Sequence, residues 1–444
     1  MTGLTASERV RTWLAEVRDW SQLKLEPVPF SKCTDWRYQG GRLVHDAGRF
    51  FSVAGVRVEG APEAPHGSDL PMIDQPEIGW LSFIIRPGPD GIEWLVQAKT
   101  EPGNLGETQL APSVQATRSN YMQVHGGRPT RFLDLLRHSE TFVSDAPHSE
   151  QGTRFLWKFN RNSVLAVSRQ ESPDVSGLRQ WAWCSSAALR DMLADDFRVN
   201  TDARSVIATA PWALVSGGGP LFSARVLAQS YRSRVANEIG QLALRTAPFG
   251  QRHLARGQPV PLDGLAGWTM TDRALCDGEG RDAVACFEIS VNGREVDHWC
   301  QPFLMQPDPA DHVLFMRVTG TGAEFFVRIY QEAGFGARRE LGPSLHSAFA
   351  TPEDLQSWAA AAGASELIAL KQSDEGGRFM HAEGAYRIVR VQGAPKQKVN
   401  PAGQWVTLAA LERLAARPGG TTNELRTLIS LILSTEFDRA CSVL

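Results

Sequence analysis

The chain has 444 residues, 46 Lys and Arg against 49 Asp and Glu, and a net charge of −3. That length exceeds one ordinary domain and suits two, each able to bury its own core. The near-neutral balance excludes a broad pull toward nucleic acid or an anionic membrane, and there is no run of about 18 apolar residues to span a bilayer.

The opening stretch MTGLTASERVRTWLAEVRDW is charged throughout and lacks the apolar core of a signal peptide. It reads as a helix, with Thr5 and Glu8 as a capping box and Val10, Trp13, Leu14 and Val17 on one face. The cytoplasm, with reduced thiols, is the expected compartment. Cys33, Cys184, Cys276, Cys286, Cys300 and Cys441 include no CxxC pair, which speaks against a zinc or thioredoxin-type site. Short alternating or apolar runs bounded by Gly, Pro and Asp predict strands at 50–58, 80–88, 92–100 and 155–160, with PGPDG (87–91) as a hairpin turn. Helical spacing marks 129–138 and 186–196. After a triple glycine, Leu221, Val226, Leu227, Val235, Ile239, Leu242 and Leu244 predict a long helix, which either joins two modules or pairs with a second subunit.

The chain repeats itself. EPGNLGETQLAPSVQATRSNY (101–121) aligns without a gap on EAGFGARRELGPSLHSAFATP from residue 332. Further matches follow in the same order. Trp36 answers Trp268, Gln75 answers Gln301 and Arg86 answers Arg317. SEQGTRF (149–155) answers SDEGGRF (373–379), QWAWCSSAALRDML answers QWVTLAALERLA, and Asn200 and Arg204 answer Thr422 and Arg426. Collinear matches of this kind indicate an internal duplication. The expected fold is therefore α+β: two tandem modules with mixed sheets, 1–215 and 256–444, joined by a linker helix at 216–255. The polar ending of the phrase survives only once, since Gln115 becomes His346, Arg118 becomes Phe349, Ser119 becomes Ala350 and Asn120 becomes Thr351. The first module thus carries the expected working pocket and the second a degenerate one.

VQAKTEPGN, QLAPSVQATRSNY, VHGG (124–127) and SEQGTRF resemble the NDP-hexose 2,3-dehydratase family across essentially the whole chain. The resemblance implies a duplicated Nudix-like fold, a homodimer and a dTDP-linked 4-keto-6-deoxyhexose as substrate, in deoxysugar and antibiotic biosynthesis. The second half departs from the family pattern: EAG stands where EPG is expected, and ELGPSLHS where a polar ELGPTVQ is expected.

That reaction needs a base for the C3 proton, a donor for the oxyanion at C4 and an acid for the departing C2 hydroxyl. A positioned base is worth about 10²–10⁴-fold and one oxyanion donor about 2.7–4 kcal/mol. The substrate's own ketone activates C3, so no cofactor or metal is expected. His125, before Gly126-Gly127, is the first choice for base or acid because its ordinary pKa is near 6.5, against a structural histidine. Glu101 and then His45 follow. Glu101 reads as acid, base or ribose contact, or else as a cap on its turn. Lys99 shares its face by strand alternation and offers a phosphate or enolate contact, or a plain ion pair. Tyr121 is a candidate oxyanion donor. Gln115, Arg118, Ser119 and Asn120 are expected to contact substrate, Arg118 at the diphosphate. Asn104, Gln75 and Trp36 join the binding set, Trp36 with core packing as its other reading. Glu150 and Arg154 read equally as nucleotide contacts or as a structural ion pair.

Two rival functions are weighed beside this one. A metal-dependent Nudix hydrolase needs a helix dense in glutamates, and neither AALRDMLADD nor AALERLAARP supplies one. A non-catalytic nucleotide-sugar sensor would keep the pocket without turnover.

Overall fold

A computed structural model describes residues 3–58, 69–117, 128–233, 257–306, 308–336, 338–349, 364–392 and 403–444. The fold is mixed α+β, built on four sheets. The first seven-stranded sheet runs Phe142–Ser149, Phe159–Ala166, Gly79–Gly88, Gly91–Thr100 and Trp181–Ser185, with Thr108–Ala111 and Val114–Ala116 added to the central pair. The second has the same layout: Ser365–Ser373, Glu383–Arg390, Ala310–Thr319 and Gly322–Tyr330 in order, with Gly403–Thr407, Glu340–Gly342 and Leu345–His346 as the additions. Pro-Ser, present in both copies of the repeated phrase, has a structural reason. Ser113 Oγ accepts from the Ile84 amide at 2.8 Å and donates to the Leu95 carbonyl. Ser344 stitches Phe315 to Phe326 in the same way.

The two six-stranded sheets exchange a strand. Lys24–Val28, early in the chain, pairs antiparallel with Asp282–Ser290, while Gly257–Val260 pairs antiparallel with Ser52–Val58. Each half therefore completes a sheet of the other. The halves also share one large core, in which helices Thr201–Thr209 and Asn423–Ile432 contact each other and meet Phe83, Trp94, Phe325 and Val327.

The first helix, Ala6–Ser21, starts with the expected capping box, and Leu14 and Val17 are buried. Other expectations are corrected by local backbone. The run 155–160 is two strands, Phe155–Leu156 and Phe159–Ala166, because Trp157 between them adopts a left-handed φ of 49°. The helix expected over 129–138 is Leu133–Arg137, preceded by Phe132 at φ 60°. In the linker the described helix is Arg225–Arg232, and Ser233 after it is extended; residues 234–256 lie outside the described residues. No helix among the described residues is long and apolar enough to cross a membrane.

The expectation of reduced thiols throughout is also corrected: Cys33 and Cys300 form a disulfide, while Cys184, Cys276, Cys286 and Cys441 take part in none. The bridge ties the turn Phe30–Lys32 to strand His298–Met305, across the two halves. Removing a native disulfide typically costs about 2–5 kcal/mol. Dithiothreitol should therefore lower the melting temperature of the wild type and leave a Cys33→Ser/Cys300→Ser double variant unmoved. Equal shifts in both would deny the bridge any part in stability.

Candidate functional site

Two cavities meet at the seam between the halves. The first, of about 130 Å³, has an aromatic wall of Trp36, Phe50, Phe51 and Trp299, with His45, Gln301 and Arg378 among its polar lining. The second, of about 240 Å³, is lined by Gln97, Gln115, Arg128, Arg131, Arg179 and Trp181. Arg294 and Glu295 line both. Ligand pockets run at about 300–1,000 Å³, so neither cavity alone reaches that range, whereas the two together do.

Behind the second cavity lies a buried polar cluster. Strand Gly91–Thr100 delivers Lys99, and the turn that follows delivers Glu101. Glu101 Oε1 accepts from Gln115 Nε2 at 2.9 Å and lies 3.4 Å from Lys99 Nζ and 4.0 Å from Arg294 Nη1. Its Oε2 accepts from Asn104 Nδ2 at 3.2 Å. Gln115 Oε1 accepts from Asn200 Nδ2, and Asn200 also caps helix Thr201–Thr209. Burial pushes the Glu101 carboxyl up, but Lys99 and Arg294 outweigh it and hold the group below its usual range. Burial pulls Lys99 below the usual lysine range, with Glu101 offsetting part of that. Glu101 is thus an ionised anchor surrounded by four donors.

The other sequence candidates fall in three places. His45 and Trp36 line the aromatic cavity; their rings stand 5.4 Å apart, and Trp36 packs on Phe51 at 4.7 Å while donating to the Cys300 carbonyl. His45 Nδ1 accepts from the Ala47 amide, which puts the neutral ring's proton on Nε2, and burial lowers its pKa. Gln75 accepts from Arg378 Nε at 3.2 Å, and Asn104 abuts Gly376 where Gly103 donates to the Gly376 carbonyl. Glu150, buried, and Arg154, half-buried, lie outside the described lining of either cavity. Asn160 and Asn423 hold the Glu150 carboxylate, and burial with the nearby Glu375 raises it to about 7. Arg154 lies over the Phe379 ring and 3.9 Å from Asp374. Arg118, Ser119, Asn120, Tyr121 and His125 lie outside the described residues.

Sequence reasoning missed Arg294, Glu295 and Trp299, and took Arg378 only as the repeat partner of Arg154. All four come from the second half. Arg378 and Gln301 carried a signal as repeat matches; Arg294, in a VNGREVDHW turn, carried none.

At the position matching this cluster in the repeat, His346 Nε2 lies 3.8 Å from Glu332 and 3.6 Å from Glu424, all three side chains being buried. The set has the composition of a divalent-metal site. However, His346 Nδ1 accepts from the Ala348 amide, which places the ring proton on Nε2, the atom a metal would need. Tyr330 and Phe349 pack against the same ring, at 5.6 and 5.0 Å. The donor set does not fit a metal.

The model of the NDP-hexose 2,3-dehydratase family matches residues 7–210 and 247–432, and the chain belongs to that family. Among its relatives are three proteins named dTDP-4-dehydro-6-deoxy-alpha-D-glucopyranose 2,3-dehydratase. The Streptomyces violaceoruber protein is 30% identical, with 97% of each chain covered. The Saccharopolyspora spinosa protein is 28% identical over 97% of this chain and 92% of its own length. The Amycolatopsis orientalis protein is 28% identical over 96% and 90%. A solved ADP compounds hydrolase aligns at a TM-score of 0.23 and 15% identity, covering 34% of this chain and 83% of its own.

Proposed function

We propose that the chain is a sugar-nucleotide 2,3-dehydratase, a hydro-lyase acting on dTDP-4-keto-6-deoxyglucose in deoxysugar biosynthesis. The observation that carries the reading is coverage: relatives of that name match this chain from end to end. The seam supports it, because an aromatic wall beside guanidinium groups suits a nucleobase joined to a diphosphate.

Abstraction of the C3 proton gives an enolate at the C4 ketone, the C2 hydroxyl leaves as water, and the resulting enol tautomerises to a 3,4-diketo-2,6-dideoxy sugar. His125 is the first choice for the base. Glu101, ionised and fully engaged, instead positions Gln115 and neutralises Lys99 and Arg294. The two sheets of identical layout support the reading of a duplicated, Nudix-like chain with a working first pocket. The stretches 1–215 and 256–444 are then the two copies, each lending a strand to the other's sheet, and the protein works as a homodimer. The packing of Tyr330, Phe349, Glu332 and Glu424 around His346 supports a second pocket that no longer takes dTDP.

The test is incubation with dTDP-4-keto-6-deoxyglucose in D₂O, with and without EDTA. Loss of water with one solvent deuterium at C2 of the product, unaffected by EDTA, is the expected result. Released dTMP would point to hydrolysis, and binding without turnover to the sensor.

A further inference from the structure

We propose that Arg294, carried by a turn of the second half, is the bidentate ligand of the substrate's diphosphate in the first-half site. The proposal rests on the sugar-nucleotide reading above and adds a residue that the repeated motifs do not contain.

Three observations converge on it. The first is position. An NDP-hexose has a ring at each end and a diphosphate between them. Among the described lining residues of the two cavities only Arg294 and Glu295 belong to both, so they stand where the middle of such a ligand would lie. The aromatic wall of one cavity suits the base, and the cavity beside Gln115 suits the hexose.

The second is the state of the guanidinium. Nη1 is taken by the protein: it donates to the Thr100 carbonyl at 3.1 Å and faces Glu101. Nε is buried and has no hydrogen-bond partner among the described residues; a Glu295 carboxylate oxygen is at 3.8 Å. An arginine anchored through Nη1 keeps the Nε–Nη2 edge for an incoming group. That edge matches two oxygens of a phosphate and not a single carbonyl. A buried donor left unpaired costs about 1–3 kcal/mol, which a ligand oxygen would recover. Glu295, also ionised, lies beside the fork, and its carboxylate suits a sugar hydroxyl in place of a phosphate oxygen.

The third is preorganisation. The turn between strands Asp282–Ser290 and His298–Met305 is clamped onto the first half. Asn292 donates to the Ser21 and Trp20 carbonyls, and the Arg128 amide donates to the Glu295 carbonyl. Gly293, at φ +87°, lies so close to the Trp20 ring that a Cβ would approach it to 2.6 Å. The guanidinium is therefore delivered from a fixed backbone, which keeps the ordering cost of binding low. Arg378, on the wall of the aromatic cavity and stacked at 4.3 Å on Phe51, is the neighbouring cation.

The experiment compares dTDP and dTMP binding by calorimetry in the wild type, Arg294→Gln and Arg294→Lys. A diphosphate contact changes the preference for dTDP over dTMP, whereas mere loosening of the seam weakens both alike. Arg294→Gln should lose about ten- to a hundredfold in dTDP affinity and most of that preference. Arg294→Lys, which keeps the charge beside Glu101 and the fold with it, should recover only part, lacking the fork. A dTDP-to-dTMP ratio unchanged in both variants overturns the proposal. Turnover of the keto sugar by the wild type, measured in parallel, reports on the dehydratase reading separately: a wild type that binds dTDP without turnover sinks that reading and leaves Arg294 standing.

Discussion

Arg426→Met is expected to destabilise the fold by about 3–5 kcal/mol, the range for removing one partner of a buried charge network. Arg426 is fully buried in helix Asn423–Ile432. Its Nε donates to Ser205 Oγ at 2.7 Å, and its two Nη groups donate to the Thr421 and Ser149 carbonyls. Arg204 mirrors it from helix Thr201–Thr209, donating to Thr427, to the Val199 and Ser373 carbonyls and to Gln372. Each arginine therefore crosses to the opposite half. Methionine keeps the volume but withdraws the donors of the Thr421 and Ser149 carbonyls, while Ser205 Oγ retains Asn162 as a donor. It also withdraws the positive charge that faces Glu150, Glu340, Glu424 and Glu332. That gives the loss a pH dependence. Glu150, raised to about 7 from an ordinary 4.5, keeps its proton in the folded state through that window, so its contribution to stability falls as pH rises from 4.5 through 7. Without Arg426 its ionisation is harder still, and the variant should be hurt more at pH 8 than at pH 5. Urea titrations at the two pH values read both effects. A loss under about 1 kcal/mol, or one larger at pH 5, would deny Arg426 this role.

How much of this was legible beforehand differs by level. The central hairpin of the first large sheet was, because WLSFIIRPG and IEWLVQAKT are apolar runs bounded by Gly, Pro and Asp, and the PGPDG turn fixes their pairing. The repeat exposed Arg204 with Arg426 and Ser113 with Ser344 as matched pairs, although not what they bond. Strand exchange was hidden, since KLEPV and GQPV carry no mark of which sheet they join. Arg294 was hidden for a related reason. It meets Thr100 across 194 residues of chain, and that contact exists only because the hairpin of the second half docks on the first. The breaks at Trp157 and Phe132 were invisible because left-handed backbone in a bulky residue is imposed by tertiary contacts, such as the Trp157 amide bonding the Gly334 carbonyl. Of the candidate residues, Lys99, Glu101, Asn104 and Gln115 lie next to one another, since strand Gly91–Thr100, the turn after it and strand Val114–Ala116 deliver them. Glu150 and Arg154 came from an equally good motif, yet they lie outside the described lining of both cavities.

Within that cluster the sharpest expectation concerns Glu101 and Lys99 together. Glu101→Gln keeps shape and hydrogen bonding to Gln115 but removes the one negative charge that lies 3.4 Å from Lys99 and 4.0 Å from Arg294. Two buried cations then face each other with less compensation. Burial already draws Lys99 below the usual lysine range, and Arg294 draws it further. The lysine should respond by giving up its proton nearer neutrality, so stability of Glu101→Gln should rise with pH across the window between the lowered folded value and the ordinary 10.5. Lys99→Met leaves Glu101 with Arg294, Gln115 and Asn104 as partners, a milder change. The double variant removes the anion and one cation at once. It should therefore be more stable than Glu101→Gln alone, with a coupling of about 0.5–3 kcal/mol in a double-mutant cycle. Activity follows a different rule. All three variants should lose about a hundredfold or more in kcat/KM, because a shift of about 1 Å in Gln115 and Arg294 is enough for that. A double variant less stable than Glu101→Gln would mean that the pair is not the source of the coupling. Full activity in Glu101→Gln would remove this anchor from the site.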